Sequence, residues 1–443
     1  MTVVPFRRDD FEGRRRIAVV GSGIAGAVAA WALHPGADVT LYEAEDRPGG
    51  HTSTVDIDYD GTPIAVDTGF IVYNELNYPG LTALFRHLGV ATQASSMGFS
   101  LSLDEGRLEW CGDSLPKMFA RRRNVLSPSF LWMLREILRF NRQCLEDRDQ
   151  GLIGHATIGE YLSRRRFSAG FRDDYLIPMA AAIWSSPRIR ILDFPATAFI
   201  DFFENHRLLH DERPVWRTVS GGSRRYHDRQ LAPLGDQLKL AAPVRTVLRD
   251  AYGVTVWADG HEPERFDDII LAVHSDQALA MLGDASPTEQ AILSAVTYRP
   301  NRVVLHRDER LMPKRKAAWS AWNYLRSSAG EQEASVTYWM NRLQGIDETK
   351  PLFVSLNPAV EPRPELVFGQ WSFEHPQFDA RALSAQARLD DIQGVRNTRF
   401  AGAWTGRGFH EDGLRSGVAA AVALGAVVPW QPVETPQLDL AAE

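Results

Sequence analysis

Residues 14–52, RRRIAVVGSGIAGAVAAWALHPGADVTLYEAEDRPGGHT, decide the fold. Three arginines precede an uncharged, mostly apolar stretch at 17–33, the outline of an export leader. The same stretch also reads as a short buried strand (17–20), a glycine turn, a helix (25–34) and a second strand (39–43). The glycines arbitrate. Gly21-Ser22-Gly23-Ile24-Ala25-Gly26 is GxGxxG directly after a strand. Gly21 permits the tight turn, Gly23 lets a pyrophosphate approach the backbone, and Gly26 lets helix and strand pack closely. The helix N-terminus at Ile24 and Ala25 offers free N–H groups and partial positive charge to phosphates. Glu43 follows roughly 20 residues on, at the end of the second strand, where a carboxylate accepts both hydroxyls of a ribose and repels a 2′-phosphate. A leader needs none of these spacings, so the stretch is read as a dinucleotide site in a β-turn-α-β unit.

The rest of the chain sets bounds. Its 443 residues predict two or three domains at roughly 100–200 residues each. The composition, 44% apolar and 24% charged, is that of an ordinary globular protein. The net charge of −7 argues against a dedicated nucleic-acid surface. The two cysteines, Cys111 and Cys144, form no CxxC pair and no metal-ligand cluster, and so few thiols fit a cytoplasmic setting. The alanine-rich run 417–428 is read as a buried helix rather than a membrane span.

Along the chain, 81–89 shows helical apolar spacing closed by Gly89. Residues 110–215 carry basic runs (Arg121–Arg123, Arg164–Arg166) and helical stretches such as 130–140. Strands return at 244–248, 254–257 and 269–273, with a turn at Asp259-Gly260. Residues 298–375 are rich in aromatic side chains, and 399–428 reads strand, glycine-rich loop, helix. The alternation predicts an α/β protein. A Rossmann-like dinucleotide domain (14–95, 215–285 and 395–428) interleaves with a mixed α+β substrate domain (96–214 and 286–394), between flexible termini at 1–13 and 429–443.

The residues after Glu43 extend the signal. Arg47-Pro48-Gly49-Gly50-His51-Thr52 sets an arginine near phosphate charge and a glycine pair where the backbone can approach an extended ligand. Val66-Asp67-Thr68-Gly69-Phe70 follows. Together with the turn, these segments resemble the flavin-containing amine oxidase superfamily and its phytoene-desaturase and protoporphyrinogen-oxidase relatives, with His51 in place of the common arginine. Distant segments resemble it as well. Thr218-Val219-Ser220-Gly221-Gly222-Ser223 is similar to the central Gly-Gly loop, and the strand at Val244 to the one that meets the adenine half. The segment from Gly402 through Trp404 to Asp412 and Gly413 is similar to the C-terminal flavin motif. The resemblance implies FAD, held by these residues, with Gly413 opening a helix whose positive end faces the flavin pyrimidine. Neither cysteine lies near that motif, so the FAD is expected to be non-covalent.

A flavin accepts hydride; the protein supplies orientation and electrostatics. Gly406-Arg407-Gly408 is too weak to count as a second dinucleotide turn, and without CxxC a pyridine-nucleotide disulfide reductase is disfavoured. Phe409 stands where the family often has a tyrosine, Trp404 where it often has glutamate, and the family's lysine near the flavin finds no match around Tyr298–Arg302. These departures weigh against amine oxidation. The segments AVHSDQAL and YRPNRVVLHRDERLMPKRKAAWSAWNY resemble a bacterial FAD/NAD-binding subgroup often encoded beside cyclopropane-fatty-acid-synthase-like methyltransferases. That resemblance implies a small apolar substrate, fatty-acyl or other lipid, and a dehydrogenation or desaturation, with oxygen or another electron acceptor. Amine oxidation, a redox-neutral flavin-dependent isomerisation and a non-catalytic FAD scaffold are the alternatives. The aromatic residues of 319–371 are candidates for an apolar tunnel, and His410, Asn323 and Tyr324 are candidate partners of the substrate near the flavin. His206 and His210, four apart without the glutamate of HExxH, are read as capping or packing residues rather than metal ligands. Arg121–Arg123 with the helix that follows is a candidate for peripheral contact with a membrane.

Overall fold

The computed structural model describes residues 13–184, 191–210, 212, 214–326 and 335–430. The opening stretch folds as its glycines require. Strand Arg16–Val20 runs into helix Ile24–Leu33, which returns to strand Asp38–Tyr42. The two strands pair in parallel, Ile17 against Val39 and Val19 against Leu41. A right-handed crossover is the ordinary way to join such neighbours. The sheet continues on both sides, with Leu238–Lys239 beyond Asp38–Tyr42, and Asp268–Leu271 then Thr398–Phe400 beyond Arg16–Val20. All these pairings are parallel. The central strands are buried along nearly their whole length, which is why they read as continuous apolar runs. This is the predicted α/β class.

A second sheet has seven strands, in the spatial order Val367–Gln377, Thr297–His306, Phe353–Leu356, Ser335–Trp339, Trp322–Arg326, Phe99–Leu103 and Leu108–Cys111. It is mostly antiparallel, with one parallel pair between Trp322–Arg326 and Phe99–Leu103. Helices between 128 and 205 pack over one end through an aromatic core that includes Phe140, Tyr161, Phe171, Phe199 and Phe203.

Several boundaries differ from the sequence reading. The helix expected over 81–89 spans Pro79–His87, and the one expected over 130–140 runs much further, Pro128–Asp149. The C-terminal helix is His410–Val422. It therefore opens at His410, and Gly413 sits within its first turn. A Cβ on Gly413 would come 2.8 Å from Ile24 Cγ2. The glycine is there so that helix His410–Val422 can lie against helix Ile24–Leu33.

Long-range polar anchors hold the site together. Asp67 accepts from Thr54 Oγ1 (2.6 Å), Ser223 N (2.9 Å) and Gln344 Nε2 (3.1 Å), tying the Asp-x-Gly segment to the Gly221-Gly222 loop. Burial pushes the Asp67 carboxyl up to about 6. Glu411 reaches across to helix Pro79–His87 and accepts from Gly80 N (2.7 Å) and Leu81 N (2.9 Å), filling the place of an N-terminal cap. Burial raises Glu411 to about 7, from an ordinary 4.5. The folded state thus holds this proton longer than the unfolded chain does. The resulting stabilisation is complete below pH ~4.5 and is lost as pH rises through ~7. Glu411→Gln cannot titrate, so the loss of stability between pH 5 and 7 should be smaller in this variant than in the parent. Urea unfolding midpoints of both proteins at the two pH values check this. Equal losses in the two proteins would refute it.

Candidate functional site

The GxGxxG turn shows three different demands. Gly21 has φ 95°, and a Cβ there would meet Ala272 O at 2.6 Å. A Cβ on Gly26 would run into the carbonyl oxygen of Gly21. Gly23 differs: it has φ −59°, and a Cβ there meets nothing within 4 Å. It is the N-cap of helix Ile24–Leu33, which has no side-chain cap and no acidic residue in its first turn. An uncapped helix N-terminus facing open space is a cradle for an anion.

That space is a cavity of about 740 Å³. Gly21, Gly23, Ile24, Ala25, Glu43, Gly49, Gly50, His51, Thr68, Gly69, Phe70, Val244, Gly402, Trp404 and His410 all line it. Contacts order the lining. Glu43 accepts from Ser22 N (2.9 Å) and Ser22 Oγ (2.5 Å), and Ser22 Oγ accepts from Gly49 N (3.0 Å). A Cβ on Gly50 would lie 3.6 Å from Gly23 Cα. Phe70 N donates to His51 O (2.7 Å), and the Phe70 ring stacks on His410 at 3.9 Å. His410 begins the second helix, so two helix N-termini open on one cavity.

Seven of the expected residues do not line it. Gly26 and Gly413 act through helix packing. Arg47 is exposed and donates to Gly50 O at 3.3 Å. Thr52 is buried, its Oγ1 2.7 Å from the Tyr226 hydroxyl. Asp412 accepts from Phe409 N (2.9 Å) and shapes the loop before the helix. Asn323 is buried in the seven-stranded sheet, where its side chain bonds Ser100 Oγ and the carbonyls of Ser320 and Thr337. The remaining candidate, Tyr324, also lies off the cavity, in the aromatic core. Asn323 and Tyr324 are thus removed as partners of a bound substrate. His410 remains on the lining, but its Nε2 lies 2.6 Å from the Tyr226 hydroxyl, and burial lowers the ring to about 3. A neutral ring so engaged positions the loop; it is not a free base.

The apolar half of the cavity comes from elsewhere than expected. Of the aromatic residues in 319–371, Trp322 and Tyr338 reach the lining. Trp319 and Trp339 instead pack with Phe353. One wall is built by Tyr175, Met179, Ile183, Phe202, His206, Leu208 and Phe409, and Phe99, Val303, Val354, Leu356 and Phe373 add apolar lining from the seven-stranded sheet. His206, read from sequence as a packing residue, does stack on Phe202 at 4.0 Å, yet it also faces the cavity. Its Nδ1 bonds Phe202 O at 3.0 Å, which leaves Nε2 with the lone pair; burial lowers the ring to about 4. None of these seven wall residues carries a carboxylate or a permanent charge.

Sequence reasoning also missed the scaffold behind the turn. His227 Nε2 lies 2.8 Å from Ser22 O and fixes the turn from below. The two cysteines are buried off the cavity, and burial pushes their thiols up to about 11 (Cys111) and about 12 (Cys144).

The residues present fit FAD: an anion cradle, a carboxylate at the second strand, and a second positive helix end along the same cavity. Comparison with known proteins agrees. Among solved structures of similar fold is wild-type putrescine oxidase bound to putrescine, with 19% identity and a TM-score of 0.66 over 93% of this chain and 98% of that one. Cyclohexylamine oxidase from Brevibacterium oxydans matches at 18% identity and a TM-score of 0.66, covering 93% and 99%. A CLA-producing fatty acid isomerase from P. acnes matches at 16% identity and a TM-score of 0.63, covering 93% and 99%. At such identities the likeness is one of fold. The sequence itself goes further: residues 24–354, well over half of the chain, match the family model for flavin containing amine oxidoreductase. The chain belongs to that family and is an FAD-dependent oxidoreductase.

Proposed function

We propose that this oxidoreductase dehydrogenates an apolar substrate, a fatty-acyl or other lipid chain, at a C–H bond held against the wall of Tyr175, Met179, Ile183, Phe202, Leu208 and Phe409. The observation that carries the reading is that none of these described wall residues carries a carboxylate; the carboxylates on the cavity lining, Glu43, Glu45 and Glu374, lie outside this set. An alkylammonium brought there would lose its hydration without gaining a counter-ion, a cost of several kcal/mol. An acyl chain gains about 0.8 kcal/mol for each CH₂ buried.

The bound flavin would accept the hydride at N5. The chain's own residues do the rest. Gly21–Ala25, Gly49 and Gly50 would present backbone to the phosphates, Glu43 and Val244 would hold the adenosine half, and Gly402, Trp404 and the His410 helix end would hold the isoalloxazine. The aromatic wall excludes water and orients the chain. His206 Nε2 is the basic atom on that wall, available to receive the proton that desaturation releases. Reoxidation is assigned to oxygen or another acceptor. That a fatty acid isomerase shares the fold supports the fit of an acyl chain. No helix among the described residues is long and apolar enough to cross a membrane.

The test is anaerobic titration of the purified FAD-loaded protein. Soluble fatty-acyl substrates should bleach the flavin absorbance, and putrescine and cyclohexylamine should not. Bleaching by the amines alone would overturn the reading. An acyl product of unchanged mass, formed only with reduced flavin, would replace dehydrogenation by isomerisation.

A further inference from the structure

Between Leu115 and Arg142 the sequence holds seven Lys and Arg residues and a single acidic residue, Glu136, in a protein of net charge −7. The one acid is not on the surface. Glu136 is 2% exposed, and its carboxylate is taken up by Ser168 and Arg139. Lys117 pairs with Asp113 and Arg142 with Glu146, so the unpaired positive charge of this segment is concentrated at Arg122 and Arg123.

Its shape is specific. Arg121, Arg122 and Arg123 line a small pocket with Ala120 and Arg315. Arg315 is already paired with buried Glu109 at 2.7 Å. Arg122 and Arg123 are exposed, and no carboxylate among the described residues pairs with either. Large apolar side chains of the same segment stand in water: Leu115 is 77% exposed, Leu126 86%, Trp132 52% and Leu138 71%. On helix Pro128–Asp149, Leu131, Arg135, Leu138 and Arg142 share one face at spacings of three and four. The Arg135 guanidinium stands 5.5 Å from the Trp132 ring. The opposite face buries Phe130, Met133, Phe140 and Cys144. This helix packs on helix Ala196–Asn205, which carries Phe202 of the apolar wall.

We propose that this face docks on an anionic lipid bilayer. Arg121–Arg123 take lipid phosphates, while Leu115, Leu126, Trp132 and Leu138 enter the boundary between headgroups and acyl chains. Scattered apolar residues on a surface need no explanation, but these are concentrated on one cationic segment. Basic residues with Leu and Trp on an amphipathic face are the chemistry of interfacial binding. Each basic residue near an anionic leaflet adds about fivefold to partitioning. A nucleic acid would also satisfy the arginines, but it gives the exposed leucines nothing to be buried in. The purpose, drawing an apolar substrate from the membrane, rests on the acyl-chain reading of the cavity; the binding does not.

The experiment is flotation of the FAD-loaded protein with phosphatidylcholine vesicles, with and without phosphatidylglycerol. It should float with the anionic vesicles, weakly or not at all with the neutral ones, and less as salt rises. The combined Arg121→Gln, Arg122→Gln and Arg123→Gln variant should bind at least about tenfold more weakly. The Leu126→Ser, Trp132→Ala variant should also lose binding, at low salt, where charge alone would suffice. Failure of the parent to float with anionic vesicles overturns the proposal, as does undiminished flotation of the arginine variant. Binding to single-stranded or duplex DNA that outcompetes vesicles and ignores Leu126 and Trp132 also overturns it, in favour of a nucleic-acid surface. Flavin bleaching by a soluble acyl substrate should be unchanged in the arginine variant, which separates docking from cavity chemistry.

Discussion

Gly23→Asp is expected to give a folded, colourless protein. No Cβ clash opposes it: the position is open to the cavity, and its φ of −59° suits any L-residue. Aspartate is among the preferred N-caps, and helix Ile24–Leu33 lacks a side-chain cap. Replacing glycine where the backbone is unstrained also restricts the unfolded chain. Together these should raise the stability of the flavin-free protein by about 0.5–1 kcal/mol. The same carboxylate would stand where the pyrophosphate must approach, filling its space and opposing its charge. Like-charge contact in an enclosed site costs several kcal/mol, so FAD affinity should fall by at least about a hundredfold. Melting of both proteins without flavin, and uptake of added FAD followed by flavin fluorescence, provide the check. A yellow variant would show that the pyrophosphate does not lie at this turn. Gly26→Ala makes a useful contrast. It should lose flavin as well, but by lowering stability, because its Cβ runs into the Gly21 carbonyl.

That contrast shows why the dinucleotide turn was legible from sequence. Each glycine there answers a local steric demand, and local demands leave a fixed spacing. The same holds for Glu43, set by the length of one helix and one strand. Contacts between distant segments leave no such spacing. Glu411 drew no role from its own neighbourhood; its use is to cap helix Pro79–His87. His227 supports Ser22 from 205 residues away. Tyr324 lies on the same strand face as Trp322, as alternation requires, but that strand leads from the cavity into the aromatic core. The apolar wall was misplaced for the same reason. Tyr175, Met179, Ile183 and Phe202 come from helices whose inward faces look, in sequence, like any other packed core, and His206, Leu208 and Phe409 from the turns and caps beside helices.

Arg249→Leu should destabilise the protein by about 3–5 kcal/mol. Arg249 lies on strand Val244–Asp250 with its side chain fully buried, inserted between Glu289 and Asp284. Its Nη1 and Nη2 donate to the two Glu289 oxygens at 2.5 and 2.9 Å, and its Nε donates to Asp284 at 2.8 Å. Nη1 also reaches Thr398 on the edge strand of the parallel sheet, at 3.4 Å. The pair thus joins the Val244–Asp250 strand, helix Pro287–Leu293 and the edge of the dinucleotide-side sheet. Burial pushes the Glu289 carboxyl up, but Arg249 and Ser286 more than offset this and hold it below its ordinary value. Without the guanidinium the carboxylate is left charged in a site closed to water, since the Glu289 side chain is only 1% exposed. Asp284 suffers less, because Arg396 approaches it at 2.5 Å from the surface. The loss should therefore shrink as pH falls toward 4.5 and Glu289 takes up a proton. It should also shrink when the acid is removed, so Arg249→Leu combined with Glu289→Leu should be more stable than Arg249→Leu alone. Urea unfolding of the parent, both single variants and the double variant at pH 7 closes the cycle. If the double variant is the least stable of the four, the cost lies in lost packing and not in a stranded charge.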